Sequence, residues 1–102
     1  MEKIMVLKAF SEKKQREFNR QDGTKAIIEW HDVILTDGID TIMGETSENL
    51  TRQINATDEN VRLDMKIGQL YNVRATFQVL SYKKDEKDSF FMKANISQMA
   101  IV

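Results

Sequence analysis

From Leu70 to Tyr82 the chain alternates. Tyr71, Val73, Ala75, Phe77 and Val79 are apolar, and Asn72, Arg74, Thr76 and Gln78 between them are polar. Successive side chains of a strand point to opposite faces, so this stretch reads as a strand with one buried face and one wet face. Lys83-Lys84-Asp85-Glu86-Lys87-Asp88 follows as a charged turn, and Ser89 to Val102 as a second strand. Phe90, Met92, Ala94 and Ile96 form its expected buried face, with Phe91, Lys93, Asn95 and Ser97 opposite. The phase slips at Gln98 and resumes at Met99 and Ile101, which predicts a bulge there. Together the two segments read as a C-terminal hairpin.

The first half predicts three more strands. Lys3 to Phe10 begins with a continuous apolar run, as in a strand covered on both faces, and its furthest reach is Phe18. Gln21-Asp22-Gly23-Thr24 is a turn, because glycine accepts positive φ. Lys25 to Thr36 is the second strand. Its apolar phase shifts between Ile28/Trp30 and Val33/Leu35, predicting a bulge near His31-Asp32. Asp37-Gly38 turns the chain again, and Ile39 to Gly44 is a short third strand. A short helix is expected over residues 47–56. Ser47 can cap it, Glu48 suits its positive end, and Leu50 and Ile54 stand one turn apart. Val61, Leu63, Met65 and Ile67 alternate with polar residues, and the pattern leaves their conformation open.

Composition adds bounds. The 102 residues hold one core, with 41% hydrophobic and 30% charged residues and neither cysteine nor proline, so one domain over residues 1–102 is expected. No disulfide or thiolate metal site can form. The N-terminus has no signal-peptide pattern and no apolar run approaches a membrane span, so a cytoplasmic setting is the expectation. The net charge of −1 excludes a uniformly basic nucleic-acid binder. The distribution says more. Residues 31–65 carry two Lys/Arg against eight Asp/Glu; residues 1–30 carry seven against five, and 66–102 six against three. A fold that gathers the two ends would have a positive face and a negative one.

A mostly β order of strand, strand, strand, helix, strand, strand resembles the OB-fold, a five-stranded barrel with one short helix between strands 3 and 4. The stretches Ile28-Glu29-Trp30-His31-Asp32-Val33-Ile34-Leu35-Thr36-Asp37-Gly38 and Gly68-Gln69-Leu70-Tyr71-Asn72-Val73 are similar to those of small single-stranded DNA-binding proteins of bacteria and their phages. The resemblance covers the whole chain and rests on element order. Members commonly carry a flexible tail with an acidic tip, and nothing here matches it. The resemblance implies a binding face on strands two and three, flanked by the 1–2 and 4–5 loops. It also implies single-stranded DNA, or RNA, as partner, and a homodimer or tetramer.

Both loops mix cations with rings. The first has Lys13, Lys14, Arg16 and Arg20 around Phe18; the second has Lys83, Lys84 and Lys87 beside Tyr82 and Phe91. Single strands need cations along the phosphates and flat rings under the bases. The expected phosphate contacts are therefore those seven residues with Arg74 and Lys93. The expected stacking rings are Phe18, Trp30, Tyr82 and Phe91, although a lone tryptophan on a central strand is more often core than binding platform. Glu12, Glu17, Asp22, Asp85, Glu86 and Asp88 partly cancel these cations, so a merely solvated hairpin tip competes with this reading.

The second reading is a protein–protein adaptor, with Asp37, Asp40, Glu45, Glu48, Asp58 and Glu59 as its docking surface. Enzymatic chemistry is poorly supported. One histidine, no cysteine and no phosphate-loop or nucleophile motif point to no metal, no cofactor and no catalytic residue. His31-Asp32 with Asp37 and Asp40 is the densest polar cluster, and Asp-Gly is first of all a turn signal.

Overall fold

A computed structural model describes residues 1–102. Seven strands and one helix follow in order: β1 (Glu2–Phe10), β2 (Lys14–Asn19), β3 (Lys25–Trp30), β4 (Asp32–Thr36), β5 (Thr41–Thr46), α1 (Glu48–Ile54), β6 (Leu70–Lys84) and β7 (Lys87–Ile101). Five of them close a hydrogen-bonded ring in the order β1-β4-β5-β7-β6. β6 returns to β1 through Glu2–Val6 and Leu70–Arg74. All neighbours are antiparallel except β5 and β7, which run parallel through Gly44, Glu45 and Thr46. No helix is long and apolar enough to cross a membrane.

The two expected long N-terminal strands are each divided. The first breaks at Ser11–Lys13 and the second at His31, so β2 and β3 form a separate two-stranded sheet outside the ring. The helix lies within residues 47–56 as expected. By count, however, it follows the fifth strand and not the third, because of those two breaks. Ser47 caps it by accepting from the Leu50 amide at 3.2 Å, and Leu50 is buried. The third strand is as long as expected but lies two residues later, over Thr41–Thr46: Ile39 belongs to the turn and is 91% exposed. Asp37 Oδ1 there accepts from the amides of Ile39 and Asp40.

The core fills the ring with Met5, Leu7, Val33, Leu35, Tyr71, Val73, Ala75, Ala94, Ile96 and Met99, and Leu50 and Leu63 join it. Each fully buried aliphatic side chain contributes about 1.5–3 kcal/mol. Two irregularities shape the wall. Lys8 is an extra residue in β1, between the Leu7↔Leu35 and Ala9↔Ile34 pairs. Ser97 is an extra residue in β7, between the partners of Arg74 and Ala75, next to the expected Gln98. Residues 57–67 form no strand. The buried Tyr71 hydroxyl ties this loop down, donating to the Asp64 carbonyl at 2.8 Å and accepting from the Lys66 amide at 2.9 Å.

β7 runs parallel to β5, and β5 runs parallel to β1 because both are antiparallel to β4. The β2–β3 hairpin continues past the end of β1. The tip of the β6–β7 hairpin lies before the start of β7. The two hairpins therefore leave the ring in opposite directions, and their charged tips do not converge as the charge distribution suggested. What they share is the wall between their roots.

Candidate functional site

That wall carries an open groove of about 470 Å³. Ile34 and Met43 on β4 and β5 line its floor, with Phe10 and Asp32 toward the β2–β3 hairpin and Phe91 and Lys93 on β7. Asp32 and Glu45 stand opposite each other on the β4–β5 ladder. Each carboxylate is held by a lysine from a different hairpin: Lys14 pairs with Asp32, and Lys93 with Glu45 at 2.8 Å. The second Asp32 oxygen accepts from Trp30 Nε1 at 3.2 Å. Trp30 is thus half-buried at the groove edge, neither core nor free platform.

Register decides which predicted residues share a surface, because residues paired across a ladder point the same way. In the β2–β3 hairpin, Lys14↔Trp30, Arg16↔Ile28 and Phe18↔Ala26 form one face, so Lys14, Arg16, Phe18 and Trp30 share it. The opposite face, with Ile27 and Glu29, looks across a small cleft to Glu48, Thr51 and Arg52 of α1. Lys13 ion-pairs with Glu29 at 3.4 Å, and Arg20 lies at the turn. In the β6–β7 hairpin, Leu80↔Phe91, Tyr82↔Ser89 and Lys84↔Lys87 share a face with Lys93. Tyr82 and Phe91 lie diagonally across it, with ring centroids 5.8 Å apart and planes tilted by 58°. Lys83 points to the other face, opposite Asp88. Arg74 stands apart from the groove, on the β1–β6 wall, paired with Glu2 at 3.2 Å.

The ion pairs leave Arg16, Arg20, Lys83, Lys84 and Lys87 without carboxylate partners. The acidic middle segment is largely committed instead. Asp37 and Asp40 hold Lys3, and Glu48 holds Arg52. Asp37 sits well below the usual carboxylate range, first through Lys3 and then through the Asp40 and Ile39 amides; Lys3 is raised by its hydrogen bonds to the Asp37 carboxylate first and the Asp40 carboxylate second.

His31 is buried, and both ring nitrogens are engaged. Its Nδ1 lies 2.9 Å from the Ser11 carbonyl, which can only accept, and Nε2 lies 3.0 Å from the Asn55 amide nitrogen, which can only donate. The ring therefore pins the break between β3 and β4 to the end of α1, and no nitrogen is free for a metal or proton transfer.

Sequence reasoning missed Phe10, Ile34, Asp32, Met43 and Met92 as groove residues and did not link Glu45 to the cations. The outward positions of β4 and β5 gave a signal, since Asp32 and Ile34 alternate with Val33 and Leu35. Comparison with family models, curated proteins and solved structures gives no match.

Proposed function

We propose that this chain is an OB-type barrel that binds single-stranded DNA with little sequence preference, without enzymatic activity. The ring order supports the barrel: β1, β4 and β5 form a meander, the helix follows, and the last strand joins β5 in parallel while its neighbour closes on β1. The observation that carries the binding reading is the groove itself. It is apolar on its floor, edged by two lysine–carboxylate pairs, and entered from each end by a hairpin bearing rings and unpaired cations.

In this reading bases lie on the apolar floor and on Phe91, Tyr82 and Phe18, with Trp30 at the edge. Phosphates follow Arg16, Arg20, Lys84 and Lys87, and draw Lys14 and Lys93 away from their carboxylates. Contacts to base faces and phosphates are indifferent to sequence. The adaptor reading has less support, because most of its acidic residues are already occupied by cations of the same chain.

Fluorescence anisotropy of a labelled thymidine oligomer, titrated at several salt concentrations, tests the proposal. Phe91→Ala should weaken binding at every salt concentration by about 1–3 kcal/mol, the worth of one stacked base. Lys84→Ala should flatten the dependence of log K on log salt by about 0.7. Absence of binding at low salt would overturn the reading. Co-purification of a protein partner by a chain that ignores the oligomer would favour the adaptor.

A further inference from the structure

The chain holds six methionines and no cysteine, so thioethers are its only sulfur. Their settings differ. Met5 and Met99 are sealed in the core at 1% exposure, and Met65 packs against that core. Met43 and Met92 are the most exposed of the six, at 71 and 65%, and both line the groove. Met1 is exposed too, but it stands at the start of the chain and outside the groove.

The fold brings the two groove methionines together by different routes. Met43 lies on β5 opposite Ile34 of β4, on the outer wall of the ring. Met92 belongs to the side of β7 that runs on from Ala94 and Ile96 of the core, opposite to that of Phe91. That alternation marks it for burial. β5 accompanies β7 only from Gly44↔Ala94 onward, however, so Met92 is left open where the two strands part. One thioether therefore stands on each strand, just before the point where β5 and β7 join. Polarizable sulfur makes favourable contacts with aromatic rings, which suits a floor that receives bases. It is also open to oxidation.

We propose that Met43 and Met92 form a reversible oxidation site that weakens the groove's hold on a single strand, an inference that rests on the single-strand reading above. The co-reactant is a peroxide. A sulfur lone pair attacks one peroxide oxygen, and the S–O bond forms as the O–O bond breaks. The proton on the transferred oxygen passes to the departing hydroxide, which leaves as water. Sulfur gives up one electron pair and the peroxide takes it. The sulfoxide is polar, so the floor loses an apolar contact on each strand. A sulfoxide reductase with a thiol reductant reverses the step: the oxygen leaves as water and the thiols become a disulfide. No cysteine of this chain competes for the oxidant, and the core seals Met5 and Met99 from it. Sulfoxidation changes no net charge, so its effect is separable from that of any lysine.

Peroxide treatment, followed by peptide mass mapping and anisotropy of a labelled thymidine oligomer, reads the proposal. Met43 and Met92 should gain oxygen well before Met5 and Met99. Affinity should then fall about tenfold, equivalent to about 1.4 kcal/mol. The slope of log K on log salt and the circular-dichroism spectrum should not change. Reduction by methionine sulfoxide reductases should restore the affinity. Met43→Leu combined with Met92→Leu keeps Met1, and its affinity, whatever the starting value, should not respond to peroxide. Met43→Gln puts a polar group on the floor and should lower affinity without oxidant. A wild type that ignores the oligomer before treatment ends the single-strand reading and this inference with it. A wild type that binds, and keeps its affinity once both sulfoxides have formed, ends this inference alone. So does an affinity loss in the oxidised double leucine variant, which would place the sensitive group elsewhere.

Discussion

Asp32 and Glu45 face each other directly across the β4–β5 ladder, and each is neutralised by a lysine that arrives from a different hairpin. Like charges directly opposite on a sheet repel. Lys14 and Lys93 remove that repulsion, and in doing so they are withheld from any polyanion. Glu45→Gln should release Lys93. The expected outcome is tighter binding of a thymidine oligomer and a salt dependence steeper by about 0.7. Anisotropy titrations between low and moderate salt measure both, and weaker binding would count against phosphate exchange at this lysine.

Gly44 is where the ring closes in parallel, and it has no room for a side chain. A Cβ there would stand 2.8 Å from the Ala94 carbonyl oxygen and 2.9 Å from the Ala94 Cβ. The obstacle is backbone and cannot swing aside. Gly44→Ala should cost about 1–3 kcal/mol, as overpacking does, and urea unfolding followed by circular dichroism measures it. Unchanged stability would mean that β5 and β7 separate easily.

His31 is a structural residue on this geometry. His31→Ala leaves the part-buried Ser11 carbonyl without its partner and takes from Asn55 one of its two side-chain hydrogen bonds, the other going to the Thr51 carbonyl; with the loss of the buried ring's own contacts this should cost about 1–3 kcal/mol. The variant should unfold at lower denaturant while nucleic-acid affinity, measured well below its transition, changes little. Loss of binding in a fully folded variant would instead place His31 in the interface.

The hairpin tip holds Asp85 at φ 54° and Glu86 at φ 64°, so two side chains occupy the left-handed region. That conformation costs roughly 1–2 kcal/mol per ordinary residue, and Asn-Gly fits it far better. Asp85→Asn with Glu86→Gly should raise the thermal midpoint. It should also leave the Tyr82–Phe91 pair in place, as aromatic NMR shifts would report.

Asp37 should remain ionised well below the ordinary carboxylate range near about 4, because Lys3 and two backbone amides stabilise its charge. Its folded value lies below its unfolded one. Its contribution is therefore full above that ordinary range and disappears as pH falls through the folded value. Carboxyl NMR titration reads this directly. Lys3→Met should move the Asp37 midpoint upward, and an unmoved midpoint would leave the amides as its main support.

Period-two alternation is a property of neighbouring residues, so the sequence by itself determined the strand character of β6 and β7, their bulge, the turns at Asp22-Gly23 and Asp37-Gly38, and the capped helix after Ser47. It also determined that cations and rings interleave in both hairpins. Only tertiary structure decided what depended on which strands became neighbours. The breaks at Ser11–Lys13 and His31, the opposite directions of the hairpins, the close approach of Gly44 to Ala94, and the capture of Lys14 and Lys93 by Asp32 and Glu45 are of this kind. Phe90 and Met92 make the reason plainest. Their alternation marks an inward face, but burial requires a layer to face, and β1 and β5 end before reaching them.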